Sequence, residues 1–142
     1  MIKSLRFSNF YSFAEDAQVD FSLGKKPTPS GFDIELPECR LNKVIAVVGA
    51  NGSGKTQLIK PLAFLKWFIC DSFLQGDPDA GIVYSPHLLR ADEDTRLEVD
   101  FLLQGVEHRY QLTMNAGRVV SEILLARTSS QFSYLFRRER SG

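Results

Sequence analysis

"VVGANGSGKTQLIKP" (residues 47–61) decides how the chain is read. Gly49 to Thr56 fit the pattern Gly-x-x-x-x-Gly-Lys-Ser/Thr at every fixed position. Glycines at these places let a loop wrap closely, so that successive backbone N–H groups turn inward onto phosphate oxygens. Where such a loop launches a helix, the unpaired N–H groups and dipole of the helix start also favour an anion. In this pattern Lys55 reaches the β- and γ-phosphates, and the Thr56 hydroxyl ligates Mg²⁺. The flanks agree. "KVIAVVG" is apolar from Val44 to Val48 and predicts a strand covered on both faces, the habit of parallel sheets. Leu58, Ile59, Leu62, Phe64, Leu65, Trp67, Phe68 and Ile69 leave hardly any polar face, which predicts a helix buried nearly all round. Pro61 inside it predicts a kink or a later start to the regular helix.

Outward from the loop, both ends of the chain read as β structure. "SLRFSNF" alternates Leu5 and Phe7 with Arg6 and Ser8, and "AQVDFSL" alternates through Val19 and Phe21. Residues 1–23 therefore read as a β hairpin. Gly24, Pro27, Pro29, Gly31 and Pro37 mark an irregular excursion. Residues 44–70 hold the loop strand and helix. "CDSFLQGDPDAGIVYSPHLLRADEDT" follows, a connection whose Asp77, Asp79, Asp92, Glu93 and Asp94 lack a recurring metal-ligand spacing and read as a solvated loop. Residues 95–137 alternate most clearly. Leu97, Val99 and Phe101 lead through "QG" to Val106, His108, Tyr110, Leu112 and Met114, then through "NAG" to "RVVSEILLA". A fourth strand is expected through Phe132, Tyr134 and Phe136. Turns this short force antiparallel pairing, hence a meander. The expected fold class is α/β, with all of residues 1–142 in one lobe.

Composition narrows the setting. Seventeen Lys and Arg balance seventeen Asp and Glu, so no global field points to nucleic acid or a membrane surface. Cys39 and Cys70 have no metal-ligand spacing and read as reduced thiols of a cytoplasmic protein. "IKSLRFSNF" is interrupted by Arg6 and Asn9, unlike a secretory signal. "LIKPLAFLKWFIC" carries two lysines and a proline, unlike a membrane span.

"IKSLRFSNFYSF", "VDFS" and "VVGANGSGKT" together resemble the amino-terminal lobe of ABC-type ATPases of the SMC, RecF and OLD group. "QLIKPLAFLKWFI" and the meander are most similar to OLD/RecF-like AAA ATPases of bacterial abortive-infection and other anti-phage systems. This resemblance implies a partial P-loop NTPase head: β hairpin, P-loop strand, buried helix and antiparallel meander. It implies ATP and Mg²⁺ as ligands, held by the Walker A residues Gly49, Ala50, Asn51, Gly52, Ser53, Gly54, Lys55 and Thr56, with Gln57 beside them. The turn at Asn9 to Phe13 would lie near the adenine or ribose. Relatives often carry a basic residue after Asn-Phe; this chain has Tyr11, so Tyr11 or Phe13 would stack on the base or simply pack the turn. The water-positioning Gln of relatives has Gln131 as its nearest match by position, with a plain polar strand residue as the alternative.

Other parts of an ABC-type site are missing from the sequence. It contains neither a Leu-Ser-Gly-Gly-like signature nor an apolar strand ending in Asp-Glu. His87, after Pro86, and His108, inside the meander's alternation, read as structural residues. Two functions stay open. In one, the chain is the ATP-binding lobe of a larger ATPase that hydrolyses ATP once a carboxy-terminal lobe and a second head complete it, with a nuclease or effector as partner. In the other, it is a non-hydrolysing scaffold that docks a partner through the meander. Direct DNA contact, implied for complete relatives, gains little from a net charge of zero.

Overall fold

A computed structural model describes residues 1–24, 31–36, 39–74 and 80–140. Its elements in chain order are β1 (Ile2–Ser8), β2 (Ala17–Asp20), β3 (Ser22–Leu23), β4 (Asp33–Glu35), β5 (Arg40–Asn42), α1 (Lys55–Cys70), β6 (Thr95–Leu103), β7 (Val106–Asn115), β8 (Arg118–Arg127) and β9 (Phe132–Glu139). β1 and β2 pair as a hairpin and β6 to β9 as a meander, while Ser22–Leu23, expected in the hairpin, join a separate sheet. Hairpin and meander also merge: β1 pairs with β6, giving one six-stranded antiparallel sheet in the order β2-β1-β6-β7-β8-β9. Gln104–Gly105 and Ala116–Gly117 have positive φ at both positions. Such residue pairs match the twist of two-residue hairpins, so β6-β7-β8 turns back at these points.

Register explains the two faces of the sheet. Leu5 lies opposite Val99, and Val99 opposite Tyr110; Phe7 lies opposite Leu97, and Leu97 opposite Leu112. These side chains share one face and form the core, closed from above by Leu65 and Phe68 of α1. Tyr110 buries its ring there and donates its hydroxyl to Glu122 Oε1 at 2.6 Å. Burial first, and the Glu122 carboxylate second, raise the phenol above its ordinary pKa. His108 stacks on Phe101 at 5.3 Å, in keeping with a structural role.

The opposite face carries paired charges. Lys3 and Arg127 flank Glu107 at 2.6 and 2.9 Å, and Arg6 and Gln111 flank Glu98 at 3.1 and 2.7 Å. Arg109 grips Asp100 with both arms, Nε to Oδ1 at 2.7 Å and Nη2 to Oδ2 at 2.9 Å, while Ser4 donates to Oδ2 at 3.0 Å. Arg6, Arg109 and Arg127 each sit one strand away from their carboxylates, and Lys3 reaches across β6 to Glu107, so the ladder crosses β1, β6, β7 and β8.

Three expectations need correction. Residues 44–48 lie in no strand among the described residues, and Val48 is 89% exposed. A central strand needs a neighbour on each side to take its backbone groups. Every described ladder is antiparallel, and none adjoins this segment. The helix is likewise covered on one side only: Pro61, Leu65 and Phe68 are buried, whereas Ile59 and Ile69 are exposed. It starts at Lys55, so Pro61 does not delay it, and the missing proline N–H falls within continuous helix. Finally, β9 forms, but a register shift between Leu124 and Leu125 breaks its alternation. Tyr134 lies opposite Leu125 and Phe136 opposite Leu124, which puts these two rings on opposite faces.

The excursion after β2 is partly regular. β4 and β3 flank β5 in a small sheet, where Arg40 pairs with Asp33 at 2.6 Å. Pro27, Pro29 and Pro37 of that excursion, and Asp77 and Asp79 of the acidic connection, lie outside the described residues. No described helix is long and apolar enough to cross a membrane.

The Asp100 fork sets a pH dependence. Burial alone would raise its pKa, but the Arg109 fork and the Ser4 hydroxyl outweigh that and hold it below the usual carboxylate value. A depressed folded pKa means stability that is complete above the unfolded pKa and lost as pH falls through the folded one. Asp100→Asn should cost about 1–3 kcal/mol at pH 7 and flatten the acid limb of stability. Urea unfolding from pH 7 down to pH 2 reads both effects; an unchanged acid limb would contradict the assignment.

Candidate functional site

Gly49 to Thr56 form an exposed loop that ends at α1. Gly52 and Gly54 adopt φ of 80° and 89°, a region costly for side-chain-bearing residues. At Gly49 the constraint is space instead: a Cβ there would meet Ser53 Oγ at 2.7 Å. Gly54 caps the helix, makes no side-chain cap bond, and accepts the first helical hydrogen bond, from Leu58 N–H at 3.0 Å. The helical amides before Leu58 therefore have no acceptor within the helix. No acidic side chain stands in the first turn to offset their positive end. Lys55 Nζ donates to the carbonyls of Gly49 and Ala50, both at 2.6 Å, drawing its charge over the loop. Asn51, Ser53 and Thr56 are solvent-accessible, and Gln57 has a buried side-chain oxygen without a hydrogen-bond donor.

The turn after β1 holds this loop against the sheet. Phe10 and Phe13 exchange backbone hydrogen bonds at 2.9 and 3.1 Å. The space beside Gly54 is bounded by Ser12 Oγ and Phe13 Cζ, at 3.7 and 3.8 Å from where a Cβ would stand. Phe13 also packs edge-on against Phe7 at 5.0 Å. Its ring joins loop to core, as in the alternative that it packs the turn. Tyr11 sits at φ 50°, its N–H bonded to the Ser85 carbonyl at 2.8 Å. One face of its ring lies under Lys60 Nζ, 3.8 Å from the centroid.

Asn9 supports all of this from beneath. It is buried; its Nδ2 donates to the Arg90 and Glu93 carbonyls at 2.9 and 3.0 Å, and its Oδ1 accepts from His87 N–H at 2.9 Å. Thr95 Oγ1 donates to the Asn9 carbonyl at 2.7 Å. The segment 80–94 is thereby strapped across the turn, with its far end tied by Ile82 N–H to Gly117 O at 2.7 Å. His87 also accepts from Leu89 N–H through Nδ1 at 3.3 Å, again a structural role. Sequence reading placed Asn9 in the turn without its role as a staple, because its partners lie about 80 residues away.

Gln131 does not join the loop. It is exposed in the β8–β9 turn, next to Arg127, which pairs with the start of β7. That end of the sheet also holds the start of β1, whereas the phosphate loop meets the turn after the end of β1. Seven strand residues separate the two ends, about 20 Å. Among the described residues, no group of three His, Cys, Asp or Glu is placed to hold a metal. The Thr56 hydroxyl stands exposed at the helix start.

A family model described as "AAA domain, putative AbiEii toxin, Type IV TA system" matches residues 44–142, which contain the loop, α1 and the meander. No curated protein matches the chain.

The staple yields a stability prediction. Asn9→Ala leaves the Arg90 and Glu93 carbonyls and the His87 amide without their partner and should cost about 1–3 kcal/mol. Chemical denaturation should register that loss; a change below about 0.5 kcal/mol would contradict the role assigned to Asn9.

Proposed function

Since this chain belongs to the AAA-domain family whose description names a type IV toxin–antitoxin system, and is thus an AAA/P-loop ATPase-like domain, we propose that it binds Mg-ATP through Gly49 to Thr56. The observation that carries this reading is the loop itself: two positive-φ glycines, a helix start without a side-chain cap and a lysine lying across the Gly49 and Ala50 carbonyls. The donor set suits a polyphosphate. Backbone amides and Lys55 would supply positive charge, Thr56 would supply a hydroxyl for Mg²⁺, and the lack of a side chain at Gly49 lets Ser53 fold in close to it. ATP over GTP and an anti-phage setting are inferred from the resemblance to OLD/RecF-like ATPases, and a toxin–antitoxin link from the family description.

Hydrolysis, in this reading, requires a second lobe. Val44, Ile45, Val47 and Val48 are exposed, and so are Ile59 and Ile69 on the outer side of α1. A groove of about 420 Å³ runs between them, lined by Ile45, Val47, Ile59 and Ala63 with Lys55, Thr56 and Lys60. A strand laid along residues 44–48 would complete their backbone bonding, and full burial of each large apolar side chain is worth about 1.5–3 kcal/mol. That lobe, and a second head facing the loop, would bring the acidic ligand and water-positioning group that phosphoryl transfer needs.

The scaffold reading draws on β9, whose Tyr134, Leu135 and Phe136 are exposed at the sheet edge. Its register shift and its arginines, Arg137 and Arg138, are features that discourage edge pairing. The completed-ATPase reading is therefore preferred.

Lys55→Ala should weaken Mg-ATP binding about 100-fold, or about 2.7 kcal/mol, in titration calorimetry. Its unfolding midpoint should stay unchanged, since Lys55 bonds only to loop carbonyls. Equal affinity in wild type and variant would overturn the proposal.

A further inference from the structure

Lys60 and Tyr11 form a pair that the phosphate loop alone does not account for. Lys60 stands four residues after Thr56 on α1, so the two share one helix face, and its side chain leans toward the helix start. Lys55, Thr56 and Lys60 line the same groove. Two ammonium groups thus sit near the positive end of a helix that has no acidic residue in its first turn. Among the described residues, neither lysine has a carboxylate within ion-pair distance, although the far face of the sheet pairs its cations throughout. Such an arrangement is unfavourable until an anion arrives.

Tyr11 adds a second observation. A bulky residue at φ 50° is unusual, and here it is held by Ser85 on one side and by the Asn9 staple below. The ring so positioned packs edge-on against buried Phe10 at 4.8 Å and presents its π face to Lys60 Nζ at 3.8 Å. The face a base would stack on is occupied by a cation.

We propose that Tyr11 and Lys60 act as one unit that holds a second cation for the polyphosphate beside Lys55, with Tyr11 a positioning residue and not a base platform. This rests on the nucleotide reading above and extends it to two residues outside the loop.

Titrations of the full chain with Mg-ATP and with Mg-tripolyphosphate separate the alternatives. Lys60→Met and Tyr11→Leu should each weaken both ligands about 5- to 10-fold, and the double variant no more than either single one. Tyr11→Phe should bind as wild type does, since it keeps the ring. Weaker ATP binding with unchanged tripolyphosphate binding in Tyr11→Leu would make Tyr11 a base platform and overturn the proposal. Affinities within twofold of wild type in Lys60→Met would overturn it equally. If wild type and Lys55→Ala bind tripolyphosphate alike, the phosphate loop reading itself fails, and this inference with it; a loss confined to Lys55→Ala rejects only the second cation.

Discussion

The pairing of β1 with β6 is the constraint on which the remaining structure depends. Eighty-six residues lie between the strands, yet Leu5 opposite Val99 and Phe7 opposite Leu97 bring segments from both sides of the loop and helix into one core. Closing so long a loop costs entropy that grows only slowly with length, and a shared apolar face offsets it. With β1 fixed, the turn from Asn9 to Phe13 emerges at one end of the sheet, under the first residues of α1. Asn9 then locks the strap from Arg90 to Glu93 onto that turn, and Ser12 and Phe13 bound the space at Gly54. A phosphate loop otherwise open to solvent is thereby anchored along one side.

What was legible in the sequence follows the range of the interactions. The alternation of Leu97, Val99 and Phe101 reports a local property, the pleat of a half-buried strand, and the Gln104–Gly105 and Ala116–Gly117 turns report another. Gly49, Gly52 and Gly54 are equally local: each meets a backbone or spacing demand set within the loop. Pairing of β1 with β6, the Asn9 staple and the Lys60–Tyr11 contact each join residues far apart in sequence, and no period or spacing encodes them. Gln131 shows the reverse error, since a match by chain position carried no information about which end of the sheet it occupies. The bulge between Tyr134 and Phe136 is similar: both residues suit a strand, but one extra residue sends them to opposite faces.

The run from Val44 to Val48 and the outer side of α1 make the same point physically. Their apolarity is that of a segment covered on both faces, but among the described residues it is covered on one side at most. The antiparallel sheet carries the core on one face, closed by the inner side of α1, and paired charges on the other. The loop and helix are joined to it on one side and exposed on the other, as the proposed completion by a second lobe requires. The charge balance fits this picture. Cations on the sheet's outer face are taken up by carboxylates of neighbouring strands or, for Lys3, of the next strand but one, while Lys55 and Lys60 keep theirs beside the loop.

Hydrogen–deuterium exchange of the full chain, with and without Mg-ATP, tests the central claim most directly. The phosphates are assigned to the backbone amides of the loop and of the first turn of α1, so nucleotide should slow exchange across residues 49–58 and, through Ser12 and Phe13, in the turn at residues 9–13. The β8–β9 turn around Gln131, at the far end of the sheet, should exchange at the same rate in both states. Unchanged exchange across residues 49–58 at saturating Mg-ATP would contradict the account.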